Sequence, residues 1–226
     1  MIKRKKIIKI AIDSPAAAGA GTQAKLISQY YNLMYLDTGK IYRLIGKLIL
    51  KSKKKLSYKI IKKKIDKIKI KDLKSKSLLD DDVAVSASKI AKNKKIRQFV
   101  KNFQKKCAYN PPLKYAGSVL DGRDITSVIM RQAMFKFYIT ANIKVRAERR
   151  FRELRKLKKK ITLLDVEKSL KKRDYLDKNR EHSPLKKTKD SILINTSKLS
   201  KKASFKKIKT IMDKKLKKIN GSIQRS

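Results

Sequence analysis

Ile7-Ile8-Lys9-Ile10-Ala11-Ile12 is a short, mostly β-branched run that stops at Asp13-Ser14-Pro15. A run of that length closed by a turn signal reads as a buried strand. Gly19 and Gly21 follow, and from Thr22 to Tyr30 the apolar positions Ala24, Leu26 and Ile27 take helical spacing. Tyr35-Leu36 predicts a second strand, ended by Asp37-Thr38-Gly39, and Ile41 to Leu50 a second helix carrying Arg43. Residues 51–76 are lysine-dominated with scattered Ile and Leu, and read as a variable insertion. A long helical pattern runs from Val83 to Lys106 and ends before Asn110-Pro111-Pro112. Ser118-Val119-Leu120, Phe135 to Ile139 and Ile192-Leu193-Ile194-Asn195 supply three further strands. Helices are predicted over Val145 to Lys160 and Asp165 to Asn179, and a basic amphipathic helix closes the chain.

Strands alternating with helices imply an α/β fold, a parallel five-stranded sheet covered on both faces. Ligands of such sheets sit beyond the carboxyl ends of the strands. Asp13, Asp37 and Asp121 all fall at such ends. A chain of 226 residues suits one domain carrying a small insertion, or a core with a mobile lid.

Charge complicates this picture. There are 64 basic and 18 acidic residues, a net charge of +46, which on its face points to nucleic acid or an anionic membrane. The lysines, 51 of them, are spread along nearly the whole chain, which reads as solvated surface and the imprint of an AT-rich coding sequence. A basic RNA-binding protein, the competing class, would need aromatic residues interleaved with the charge as a stacking platform. Trp is absent, and the nine Tyr and six Phe are not grouped in that way, so no specific nucleic-acid partner is expected. The 13 arginines carry more information. Where the bias favours Lys, an Arg marks a place that needs a planar, bidentate grip. The single Cys107 rules out an internal disulfide framework, and the single His182 argues against a zinc site or a Ser-His-Asp triad. Met1 to Lys6 is basic and precedes an apolar run, as in a secretory signal, but Lys9 and Asp13 interrupt that run early. No stretch approaches the length that crosses a bilayer, so a cytoplasmic enzyme with no membrane partner is expected.

The segment Ser14-Pro15-Ala16-Ala17-Ala18-Gly19-Ala20-Gly21-Thr22 lies between a strand and a helix, the context of a phosphate-binding loop. Small residues let backbone N–H groups converge on phosphate, and the helix N-terminus adds partial positive charge. Alone, the segment fits an ordinary turn of small residues equally well. The usual loop pattern has Gly first and Lys after the second Gly, where this chain has Ser14 and Ala20. Further motifs follow in order: Leu36-Asp37-Thr38-Gly39 with Tyr42-Arg43, Ala87-Ser88, Asp121-Gly122-Arg123-Asp124, and Arg173-Asp174 with Asp177 and Asn179-Arg180. Taken in register, they closely resemble the bacterial cytidylate kinases, P-loop nucleoside monophosphate kinases, from about Ile7 to Thr196.

The resemblance implies transfer of the terminal phosphoryl group of ATP to CMP or dCMP, for pyrimidine nucleotide supply. Mg²⁺ would lie between the phosphates, with no direct protein ligand. The loop Ser14 to Thr22, with Arg149 and Arg150 of a lid over 148–165, would hold ATP. Arg43, Arg123 and Arg180 would clamp the phosphate, with Thr38 touching the nucleotide nearby. Ser88, Arg97 and Asp124 would meet the cytosine edge, and Arg173 and Asp177 the ribose. The core would span 1–50, 115–147 and 166–226, with 51–114 as the monophosphate-binding insertion and a monomer as the working unit. Each residue also has a plainer reading. Arg43 and Arg97 fit exposed helix arginines, Asp124 a cap for the next turn, Arg149 and Arg150 a solvated face, and Asp174 an intrahelical ion-pair partner. Ala20 cannot bridge the β- and γ-phosphates as the loop lysine does. That leaves a weakened enzyme, an inactive nucleotide-binding relative, or a cation supplied from elsewhere. Lys40 is the candidate if the second strand lies near the first, and the general lysine bias accounts for it equally well. Thr126-Ser127 and Arg131-Gln132 also depart from the family pattern and alter the loop after Asp124.

Overall fold

The structure is a computed structural model that describes residues 7–52, 56–156 and 160–223. Five parallel strands form one sheet: β1 (Ile8–Asp13), β2 (Leu33–Asp37), β3 (Gly117–Gly122), β4 (Phe135–Thr140) and β5 (Ile192–Asn195). Their spatial order is β2-β3-β1-β4-β5. All five strands predicted from the sequence are present. β1 lies at the centre, and Ile10 to Asp13 are buried on both faces, which explains a run without apolar–polar alternation. In β4 the burial does alternate, with Phe135, Phe137 and Ile139 inward.

The helices are α1 (Ala20–Tyr30), α2 (Thr38–Lys51), α3 (Tyr58–Asp66), α4 (Asp81–Ile90), α5 (Lys94–Tyr109), α6 (Ile143–Lys156), α7 (Leu163–Lys178) and α8 (Lys201–Ile223). The single helix predicted over Val83 to Lys106 is two. Asn93 ends the first by leaving helical geometry, and its side chain accepts from the Ile96 N–H to cap α5. The insertion, unreadable in sequence, contains α3 and two short 3₁₀ turns.

Ile10, Ile12, Val119, Phe135 and Phe137 face α1 and α8 through Ala24, Ile27, Ile208 and Met212. Ala11, Leu36 and Leu120 face the other way, toward Ile41 and Ile45 of α2, Ile61 and Ile65 of α3, and Val100 of α5. The insertion is thereby bonded to the sheet through shared apolar contacts. A third, small cluster joins Ala16 of the loop to Ala147 and Leu154 of α6 and Val166 and Leu170 of α7.

β3 stands between β1 and β2, so the condition that the second strand neighbours the first is not met directly. A parallel return needs a crossover, and the long helical stretch after β2 brings the chain back to the place between β2 and β1. Asp37 and Asp121 are register partners at the carboxyl edge, and Asp13 is the partner of Gly122.

Candidate active site

β1 ends at Asp13, and the loop after it turns back over the sheet edge, with the Ser14 N–H donating to Gly122 O at 3.2 Å. Two residues make the turn with positive φ, Ala17 at 59° and Gly19 at 90°, and α1 begins at Ala20. Two arginines of α6 brace this loop. Arg146, buried, donates to Ala141 O (2.9 Å) and Ala16 O (3.0 Å) and pairs with Asp174 of α7 at 2.6 Å. Asp174 is therefore an interhelical partner and not the intrahelical one expected. Arg149 donates to the Thr196 hydroxyl (3.0 Å) and carbonyl (2.8 Å), and Thr196 donates in turn to Ala18 O at 3.1 Å. Arg150 pairs with Glu153 on its own helix. The sequence reading passed over Arg146, although an arginine between the apolar positions Ile143 and Ala147 was a visible signal.

On the other flank, Asp13 organises the segment that carries Asp124. Its carboxylate accepts from the Ile125 N–H (2.7 Å), the Thr126 N–H (2.8 Å) and the Thr126 hydroxyl (2.5 Å), holding a single turn of π-helix over Ile125–Ile129. Burial pushes the Asp13 pKa up to about 6 despite those donors, with the nearby Asp124 adding to the rise. Thr126, an unfamiliar residue in sequence, is one of these donors. The Thr38 hydroxyl donates to Asp121 O at 2.8 Å and fits only because residue 122 is Gly, since a Cβ there would stand 2.5 Å from Thr38 Oγ1.

The remaining candidates converge. Arg97 of α5 donates to Asp124 at 2.7 Å and to Ala91 O at 3.2 Å. Arg180 has Nη2 3.8 Å from the other Asp124 oxygen and Nη1 4.0 Å from Asp177, and Asp177 accepts from Arg123 Nε at 2.7 Å. These three arginines and two aspartates are 11–20% exposed, a continuous half-buried chain of charges from α5 to α7. Asp124 makes no side-chain cap, and Arg97 is not a free surface group. Arg43 donates to Leu78 O at 2.8 Å. The Arg173 pKa is pushed down to about 10 by burial and by the facing Arg123, with Arg43 and Arg150 contributing. Burial lowers Arg180 too, Arg97 adds to that, and its buried Nη2 has no hydrogen-bond partner. For Arg123 burial is outweighed by Asp177, which holds its pKa above the ordinary value. Guanidinium groups that depress one another would each be stabilised by an anion placed between them. Ser88 falls on α4, and its side chain lies outside the described residues.

A cavity of about 120 Å³ opens beside the Arg97–Asp124 pair, lined also by Tyr42, Gln104, Ile129 and His182. Burial pushes the Tyr42 hydroxyl up to about 12. Tyr42 entered the sequence reading only as a motif neighbour, and Gln104 and His182 not as site residues at all. Their signal was spatial.

The family Cytidylate kinase matches residues 10–214. The chain belongs to that family. A cytidylate kinase of Clostridium botulinum (strain Hall) is 37% identical over 218 residues, covering 92% of this chain and 98% of that protein. One from Clostridium tetani is 37% identical over 228 residues, covering 96% and 98%. Among solved structures, an uncharacterized protein from Eubacterium ventriosum superposes with a TM-score of 0.55 at 16% identity, covering 92% of this chain and 99% of the other, a likeness of fold alone.

Against that family background two facts bear on catalysis. Ala20, where the loop lysine belongs, is 4% exposed and packs with Ile10, Ile12 and Ala24. Asp121 has one oxygen buried with no hydrogen-bond partner among the described residues, and burial together with Asp37 pushes its pKa well up. Among the described residues no group of three or more His, Cys, Asp and Glu is placed to hold a metal ion. No helix among them is long and apolar enough to cross a membrane.

Proposed function

We propose that this chain transfers the γ-phosphoryl group of ATP to CMP or dCMP. One observation carries the reading: the line of paired charges Arg97–Asp124–Arg180–Asp177–Arg123, with Arg43 and Arg173 near it. The loop Ser14 to Thr22 receives ATP, with Arg149 and Arg150 closing from α6. Arg43, Arg123 and Arg180 clamp the CMP phosphate beside Thr38, and Arg173 and Asp177 orient the ribose. Ser88, Arg97 and Asp124 read the base. A carboxylate oxygen accepts from the amino group of cytosine, whereas the carbonyl of uracil would meet it with lone pairs, leaving a buried acceptor unpaired. Phosphoryl transfer asks the protein for alignment and for positive charge around the transferring oxygens, and no covalent enzyme intermediate is needed.

Mg²⁺ with its water shell fits this site, because an orphaned Asp121 oxygen beside Asp37 could accept from a water bound to the cation, with no direct protein ligand. Bound between the phosphates, it would neutralise charge developing on the β- and γ-oxygens. Residues 51–114 are the monophosphate-binding insertion and 148–165 the lid. The working unit is a cytoplasmic monomer.

The test is a coupled assay with ATP and CMP, dCMP, UMP or AMP at high enzyme concentration. CMP and dCMP are turned over in preference to UMP and AMP, and Asp124→Asn lowers kcat/KM for CMP by about 10²-fold while narrowing the CMP-to-UMP ratio. A chain that binds both nucleotides and transfers nothing, or that prefers UMP, ends this reading.

A further inference from the structure

We infer that the cation missing from the phosphate loop at Ala20 is supplied by Lys40 on α2, reaching across to the β- and γ-phosphates of ATP. This rests on the reading of Ser14 to Thr22 as the ATP loop.

The loop backbone can hold phosphate, but nothing in its own sequence supplies a side-chain charge at the terminal phosphates. Three nearby arginines already hold other contacts in this structure. Arg146 is buried on Ala16 O, Ala141 O and Asp174, and Arg149 donates to Thr196. Arg123, assigned to the CMP phosphate, donates to Asp177 and to its own preceding carbonyl. Lys25, the lysine on α1 itself, is exposed. Lys40 differs from all of these. It is half-buried, and it has no hydrogen bond or ion pair with any described residue.

Its position suits the role although β3 separates β1 from β2. Lys40 stands in the first turn of α2, two residues after Thr38, whose hydroxyl is tied to Asp121 O at 2.8 Å. The Asp121 carboxylate oxygen Oδ2 lies 3.3 Å from where a Cβ on Gly21 would stand, in the first turn of α1. The first turns of the two helices thus share one neighbour, Asp121, and open onto the same strand ends. An ammonium on a four-carbon stem is a mobile point charge, able to span such a gap where a rigid guanidinium fork would demand fixed geometry. Asp37 and Asp121 are carboxyl register partners on the same edge, and a cation beside them would relieve their mutual repulsion. Among the described residues no carboxylate holds the ammonium, so it is available to phosphate. Lys40 takes no proton and gives none. It balances charge on the bridging and terminal oxygens.

The experiment compares ATP with AMP, which lacks the phosphates in question. Titration calorimetry on the full chain and on Lys40→Met measures both affinities, with Lys25→Ala as the control for general loss of charge. Lys40→Met, which keeps the stem, is expected to weaken ATP binding about tenfold or more, as loss of a charged hydrogen-bond partner does, with AMP affinity within about twofold. Lys25→Ala is expected to leave both unchanged. An unaltered ATP-to-AMP preference in Lys40→Met, or an equal fall in Lys25→Ala, overturns the inference. Turnover of CMP by the parent protein is scored separately. Failure there sinks the substrate assignment and leaves the Lys40 result standing, and an unaltered preference in an active parent does the reverse.

Discussion

Asp13 sits at the end of β1 with three donors directed at its two oxygens and a pKa near 6. Its folded-state pKa exceeds the ordinary 3.8, so the folded chain holds a proton that the unfolded chain has lost between those values. Its contribution to stability is therefore greatest on the acid side and is lost as pH rises through about 6. Asp13→Asn should remove that slope, as urea unfolding at pH 4.5 and 7 would show. At pH 7 it should also cost about 1–3 kcal/mol, because its amide nitrogen would face backbone N–H donors that now reach an oxygen. Sequence reading marked Asp13 as a turn residue at a strand end, which is correct but incomplete. Its partners lie more than a hundred positions away, and no local pattern encodes that distance. Arg43 and Arg123 stood out because an arginine in a lysine-biased chain is informative, and Asp124 through the Asp121-Gly122-Arg123-Asp124 motif. Arg146 was equally informative, and was lost among five arginines on one helix.

At the level of elements, α6 and α7 act as a brace. Arg146 connects both to the loop, and the cluster of Ala16, Ala147 and Leu170 backs that connection with apolar contact. Arg146→Met should cost about 3–5 kcal/mol, because it strands Asp174 without its partner. It should also weaken ATP binding more than CMP binding, since the freed carbonyl belongs to the loop. Denaturant unfolding and paired titrations check the two parts. Helices and strands were mostly legible because their apolar periods are clean. The join between α4 and α5 was not, because Ala91 and Lys92 are good helix formers and only Asn93 marks the break. Residues 51–76 resisted for a related reason. Short 3₁₀ turns have no period long enough to detect, and lysine on every side hides the buried Ile61, Ile65 and Leu73.

For the molecule as a whole, a charge of +46 spread over one chain works against compactness. Screening should relieve that repulsion, so raising NaCl from about 0.05 to 0.5 M is expected to raise Tm by roughly 3 °C or more. Scanning calorimetry would show it, and a flat or falling Tm would mean the surface charges are compensated locally. Sheet class was legible from alternation of strands and helices. Strand order was not, because hydrophobic period says which residues are buried and nothing about which strand lies beside which.

The central place of β1 has a consequence of its own. Thr38, Arg43, Arg97, Arg123 and Asp124 come from the segments that follow β2 and β3, while Arg173, Asp177 and Arg180 reach the same line of charges from α7 and just beyond it. Arg149 and Thr196 belong to the side of β4 and β5. The loop is thus flanked from both directions, and paired substitutions at Arg43 of α2 and Arg149 of α6 should add in their effects on binding while each also lowers transfer.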